Sequence, residues 1–141
     1  MTPVGPARTA PSESLVVRVA RWLLVIGFVV QGINHFIADA FLIRMIPPWL
    51  PWPAALVYLS GVAEIGLGLA VVPVRTRRMA GWGLLALLVA VFPANLHMAL
   101  HPEQWPNLPA WALWARLPLQ PLFMAWVWAV CLRRRPAAAP P

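Results

Sequence analysis

The sequence contains no lysine, a single cysteine and only four acidic residues. With one thiol, Cys131, an intramolecular disulfide and a CxxC redox pair are both excluded. The sequence also has no GxGxxG, P-loop, nucleophile elbow or CxxCH motif. Nucleotide chemistry and thiol–disulfide exchange within the chain are therefore not expected, and no motif identifies a cofactor.

What is abundant is apolar surface. Of the 141 residues, 61% are hydrophobic and 11% charged, and the mean hydropathy is +0.72. A chain of this size cannot enclose so much apolar surface in one soluble core, so lipid is expected to cover the remainder. The net charge of +7 comes from arginines in short runs beside apolar stretches. This pattern favours anionic lipid headgroups as partners, and no nucleic-acid partner is expected.

The hydrophobic pattern predicts an all-α integral membrane four-helix bundle. A domain over residues 15–132 would contain helices at about 15–36, 53–72, 76–100 and 118–132, each long or nearly long enough to cross a bilayer. Residues 1–14 are predicted to be a disordered tail, and residues 133–141 a second tail rich in Arg, Pro and Ala. Residues 1–40 have the outline of a secretory signal, but the basic region is too long, and we expect the first helix to be retained.

The arginines predict the orientation of these helices. Two of the eleven, Arg44 and Arg116, lie in segments on one side of the predicted membrane spans. The other nine fall on the opposite side: Arg8, Arg18, Arg21, Arg75, Arg77, Arg78, Arg133, Arg134 and Arg135. Because basic residues stay in the cytoplasm, we expect both termini there, in a multi-pass protein of the inner (cytoplasmic) membrane. The outer connections, 37–52 and 101–117, are long and carry five of the nine tryptophans, and residues 41–49 are expected to lie in the interface.

Polar residues inside the predicted spans point to a site. Glu64 lies roughly 15 Å into the second helix and should face the bundle, either protonated or paired. Polar residues from all four helices fall mostly in the outer half, and we predict that they form a pocket opening outward. These candidate ligand-binding residues are Gln31, Asn34, His35, Glu64, Asn95, His97, Arg116 and Gln120.

Two interpretations of this polar set stay open. The side chains could hydrogen-bond one another and only hold the helices in register. Alternatively, Glu64 and His35 could form a ligand or proton site, as intramembrane ionisable residues usually do. A metal site is not predicted, because Pro102 disfavours helical geometry at His101 and disrupts its i, i+4 pair with His97.

Several segments resemble the DoxX-like family of small membrane proteins. The resemblance covers roughly residues 22–131, and the segments are 32–36 (GINHF), 47–48 (PP), 57–68 (VYLSGVAEIGLG), 77–82 (RRMAGW), 92–95 (FPAN) and 117–120 (LPLQ). It implies a four-helix membrane bundle. The family is named for a subunit associated with a thiosulfate:quinone oxidoreductase, so the resemblance also implies a membrane redox partner protein or a quinone. Relatives in thiol metabolism would need paired cysteines, and this chain has only Cys131.

Two functional hypotheses follow. The first is a non-catalytic subunit or small-molecule binding protein whose pocket holds a quinone or lipid-type ligand. The alternative is a membrane oxidoreductase component or a proton-coupled carrier that uses Glu64 and His35. Whether the protein is an enzyme is left open. A homodimer is compatible with the glycine-bearing helix faces, which could also be used within the bundle.

Overall fold

A computed structural model describes residues 13–133, so most of both predicted tails lies outside the described residues. Within this range every regular element is helical. The five α-helices are α1 (Leu15–Ile37), α2 (Asp39–Met45), α3 (Pro53–Ala70), α4 (Val74–Leu100) and α5 (Ala110–Val127). A 3₁₀ turn over Pro102–Gln104 precedes α5, and a π-helical turn over Trp128–Leu132 extends it.

Four helical segments of the described chain are long and apolar enough to cross a membrane: α1, α3, α4 and the continuous stretch Ala110–Leu132. The prediction of an all-helical fold with four helices suited to crossing a membrane is confirmed for the described residues. The last helix differs from expectation, since it begins at Ala110 and not near residue 118. Pro118 and Pro121 lie inside it. Each proline removes one backbone hydrogen bond. The helix nevertheless continues, because the turns on either side of the prolines pack against α4.

Helix α1 packs most extensively against α3, and glycine makes this close approach possible. A Cβ atom built on Gly61 would lie 2.7 Å from the His35 Cβ, and one on Gly68 would lie 3.1 Å from the Phe28 Cβ. Small residues let two helix backbones approach closely, as is common in membrane bundles. This contact determines the axial position of α1 relative to α3, and it places His35 beside the middle of α3.

One end of the bundle, here called the cap end, carries α2 and the 3₁₀ turn. Trp105 is buried there, with the Phe41 ring edge-on at 4.8 Å between centroids. The Arg44 guanidinium lies 4.8 Å from the centre of the Trp105 ring and donates to the Gln104 carbonyl at 2.6 Å. Residues 39–45 thus cover this end as a short helix, in the region expected to lie in the interface.

The buried apolar residues form two clusters, one toward each end. The termini-end cluster consists of Leu24, Val25, Val71, Ala80, Leu84 and Val127. The cap-end cluster consists of Leu42, Met45, Val57, Met98, Trp105 and Leu113. Glu64 on α3 is seven residues from both Val57 and Val71, the residue that follows α3. Gln120 on α5 is seven residues from both Leu113 and Val127. Seven residues of helix are about 10 Å, so a polar layer separates the two clusters.

Candidate functional site

The first part of the polar layer is a carboxyl–imidazole pair between α1 and α3. The Nε2 atom of His35 lies 3.6 Å from Oε2 of Glu64, and each residue is only 7% exposed. Both groups are therefore removed from lipid and from the aqueous ends of the bundle. Glu64 faces the bundle interior beside an ionisable partner, which is the arrangement that a carboxyl at this depth requires.

The other ring nitrogen of His35 also faces α3. The Nδ1 atom lies 2.8 Å from the Val57 carbonyl oxygen, which can only accept a hydrogen bond. Nε2 is the ring nitrogen that faces Glu64. At 3.6 Å its contact with Oε2 is longer than a hydrogen bond, and Oε2 is buried without a hydrogen-bond partner among the described residues.

Ser60 completes the surroundings of His35. Its hydroxyl oxygen lies 2.9 Å from Nδ1 and donates to the Val57 carbonyl at 2.8 Å. Ser60 and the Val57 carbonyl thus hold the Nδ1 edge of the imidazole against α3. Ser60 lies one helical turn before Glu64, a spacing that sequence reasoning could have used.

The second part of the polar layer joins α4 and α5. The Asn95 amide donates to Oε1 of Gln120 at 3.3 Å, and the Gln120 amide donates to the Leu88 carbonyl. Gln120 is 6% exposed. Both halves of its carboxamide are thus engaged across the helix interface, near the point where Pro93 interrupts the α4 hydrogen-bond ladder.

A groove between α4 and α5 lies beside this second pair. It has a cavity volume of about 200 Å³ and is lined by Val89, Phe92, Gln120, Pro121 and Met124. Its walls are almost entirely apolar, with Gln120 as the polar member. Small-molecule sites are also mostly apolar with a few placed polar groups, and this groove is smaller than most of them.

The other predicted pocket residues are placed less centrally. Gln31 is exposed, whereas Asn34 and Arg116 are half-buried. His97 lies beside His101, with 4.3 Å between ring centroids, and Nδ1 of His101 is 2.8 Å from the His97 carbonyl oxygen. No group of three potential metal-ligating side chains occurs in residues 13–133. The structure thus brings together His35 with Glu64 and Asn95 with Gln120, as two separate pairs.

A polar contact that sequence reasoning missed lies at the cap end. The Tyr58 hydroxyl donates to the Asp39 carboxylate at 2.7 Å, and the Tyr58 ring stacks on Phe36 at 5.7 Å. This hydrogen bond, together with one from the Ala40 amide, holds the pKa of the Asp39 carboxyl below its usual value. No sequence pattern predicts this hydrogen bond between residues 19 positions apart, because it depends on how α2 folds back over α3.

A family model described as Domain of unknown function (DUF8561) matches residues 24–131, which includes every residue of the polar layer. No curated protein and no solved structure matches the chain.

Proposed function

Because the chain belongs to the DUF8561 family, whose description names no activity, we propose a function from the geometry of the polar layer. The protein binds an apolar small molecule of quinone or lipid type and acts as a non-catalytic membrane subunit or binding protein. The observation that carries the proposal is the groove between α4 and α5.

The shape and chemistry of the groove support this class of ligand. Its apolar walls suit an acyl or isoprenoid chain, and Phe92 offers an aromatic face. The Gln120 side chain forms part of the wall, and its bonds to Asn95 and the Leu88 carbonyl fix its position. Such a ligand would enter from the bilayer, since the lining residues belong to two membrane-spanning segments.

The location proposed for this protein is the cytoplasmic membrane, with both termini inside the cell. In the described chain the termini end of the bundle carries Arg18, Arg21, Arg75, Arg77, Arg78 and Arg133, whereas the cap end carries Arg44 and Arg116. Basic residues are retained on the cytoplasmic side during insertion. The cap end would then face outward, and the groove would lie at mid-membrane depth.

A membrane redox protein is the proposed partner, on the basis of the resemblance to DoxX-like proteins. A quinone bound at mid-membrane depth would place this chain beside such a protein. The chain contains one cysteine and no recognised cofactor motif, so electron transfer would be the task of the partner.

The test is binding of decylubiquinone to the full chain in nanodiscs, compared between wild type and Met124→Trp. The larger ring should fill the groove and reduce binding at least tenfold. Leu122→Trp is the control, because Leu122 lies two positions away on α5 and is 63% exposed. Equal binding by wild type and Met124→Trp would overturn the site. Native mass spectrometry of protein extracted with its own lipids would identify a natural occupant.

A second candidate function rests on the buried His35–Glu64 pair. Both side chains are ionisable, both residues are only 7% exposed, and they lie 3.6 Å apart. This supports a proton-coupled carrier or redox component in which Glu64 gains and loses a proton. Proton flux into liposomes containing wild type, and its loss in Glu64→Gln, would support this function. Equal flux through both proteins, or none through wild type, would remove it.

A further inference from the structure

A cluster of charged side chains lies at the termini end of the bundle, apart from the polar layer. Arg21 on α1 donates from Nη1 to both carboxylate oxygens of Glu13. Nη1 of Arg77, in the first turn of α4, lies 3.9 Å from Oε1 of the same carboxylate. Two guanidinium groups from different helices therefore converge on one carboxylate.

Arg77 is fixed in place by bonds that do not involve Glu13. It donates from Nε to the Val71 carbonyl and from Nη2 to the Val72 carbonyl, both at 3.1 Å. These carbonyls lie just beyond α3, so Arg77 ties the start of α4 to the end of α3. A guanidinium held in this way presents its remaining N–H groups in a fixed direction, which suits the oxygens of a carboxylate or a phosphate.

Arg21 requires an anion beside it. The residue is only 9% exposed, and a buried guanidinium without a counter-charge is costly. Glu13 supplies that charge from the segment before α1, which begins at Leu15, and Glu13 is itself half-buried. Any other anion that reaches the same two guanidinium groups could replace the carboxylate, because the guanidinium groups belong to the helices and the carboxylate does not.

The depth of the cluster matches that of lipid phosphates. Glu13 lies two residues before the first membrane-spanning segment, and Arg77 lies three residues after the start of the third. The same end carries four exposed arginines, Arg18, Arg75, Arg78 and Arg133. Of the four acidic residues in the sequence, only Glu13 lies at this end. This surplus of positive charge favours a phospholipid whose headgroup is negatively charged.

We propose that Arg21 and Arg77 form a binding site for the phosphate of an anionic phospholipid, and that the Glu13 carboxylate fills this site when the lipid is absent. Glu13 and the lipid then compete. The apparent affinity for the lipid is lowered according to the fraction of chains in which Glu13 occupies the site. This site is at the membrane surface and is independent of the groove between α4 and α5.

The test is the affinity of the full chain in detergent micelles for phosphatidylglycerol, measured by native mass spectrometry with phosphatidylcholine as the reference lipid. Glu13→Gln removes the competing charge and should tighten phosphatidylglycerol binding roughly fivefold. Arg77→Gln should weaken it by about the same factor. Because a misfolded protein would not bind more tightly, the gain in Glu13→Gln cannot be an effect of unfolding.

Two control variants separate this site from a general attraction of charge. Glu103→Gln makes the same change in net charge at an exposed residue of the cap end, and it should leave the affinity unchanged. Arg75→Gln removes an exposed arginine two positions from Arg77 and should weaken binding less than Arg77→Gln does.

Three results would overturn the proposal. The first is a Glu13→Gln variant that binds phosphatidylglycerol no more tightly than wild type, which would make the ion pair a purely structural contact. The second is an equal effect of the matched variants, either of Glu103→Gln and Glu13→Gln or of Arg75→Gln and Arg77→Gln. The third is tighter binding of inorganic phosphate alone by Glu13→Gln with no change for the lipid, since the site would then take a free anion.

Discussion

Gly32 on α1 contacts Gly61 on α3, and neither position has room for a side chain. A Cβ atom on Gly61 would lie 2.9 Å from the Gly32 carbonyl oxygen, and one on Gly32 would lie 2.7 Å from the Gly61 carbonyl oxygen. These carbonyl oxygens belong to the backbone, which cannot move aside as a flexible side chain can. This reciprocal contact sets the position of His35, three residues after Gly32, against Glu64, three residues after Gly61.

The first prediction concerns this contact. Gly61→Ala should destabilise the protein by about 1–3 kcal/mol, because the added methyl group overpacks the interface. It should also separate His35 from Glu64. Gly66→Ala is the matched control on the same helix, since its methyl group would meet nothing within 4 Å and alanine favours a helix over glycine. Unfolding in mixed micelles would measure the stability of both variants. Equal stability of the two would contradict the packing argument.

The second prediction concerns Glu64. Glu64→Leu should cost about 1–3 kcal/mol, because Nε2 of His35 would be left buried without a polar partner. Glu64→Gln should cost less, since its carboxamide keeps a polar group beside Nε2. The same unfolding measurement compares them, with His35→Leu/Glu64→Leu as a third variant that should recover part of the loss. If Glu64→Gln and Glu64→Leu were equally destabilised, the pair would not be joined through Nε2.

The third prediction concerns Gln120. Gln120→Leu keeps the volume but removes the bonds to Asn95 and to the Leu88 carbonyl, and it should lower the free energy of unfolding by about 1–2 kcal/mol. Asn95→Leu removes only one of the two bonds, so its effect should be smaller. Thermal unfolding in nanodiscs would rank the variants. A larger loss in Asn95→Leu than in Gln120→Leu would show that Gln120 does not bridge the two helices.

The fourth prediction concerns pH at the cap end. The Tyr58 hydroxyl is the main cause of the lowered pKa of Asp39. A carboxyl whose pKa is lowered by folding stabilises the folded state above its unfolded pKa, and this contribution is lost as the pH falls through the folded pKa. Tyr58→Phe should raise the Asp39 pKa toward its usual value and reduce the loss of stability in acid, while keeping the ring against Phe36.

Carboxyl titration by NMR would measure the Asp39 pKa in wild type and in Tyr58→Phe. The amide of Ala40 still donates to Oδ1 at 2.7 Å in the variant, so the return should be incomplete. An unchanged pKa would show that the hydroxyl does not control this carboxyl.

Much of the helical pattern could be predicted from the sequence, because lipid demands long apolar segments whose backbone bonds are satisfied internally. The first three spans lie close to their expected bounds. The start of α5 could not be predicted in this way. The sequence pattern predicts a helix from about residue 118, whereas Pro109 precedes the first turn and the helix continues through Pro118 and Pro121. Local propensity disfavours that continuation, and contacts with α4 and with the cap-end cluster compensate for it.

For the site, the sequence by itself determined that Glu64 must face the bundle, because hydrocarbon does not solvate a carboxyl group. It also determined which polar residues occur at membrane depth. Only the tertiary structure decided which of them meet. The Gly32–Gly61 contact brings His35 close to Glu64. Packing of α5 against α4 brings Gln120 to Asn95 and to the Leu88 carbonyl, whereas Gln31 stays exposed on α1. Helical spacing fixes the direction of a side chain on its own helix, whereas the partner depends on how closely and at what level two helices pack.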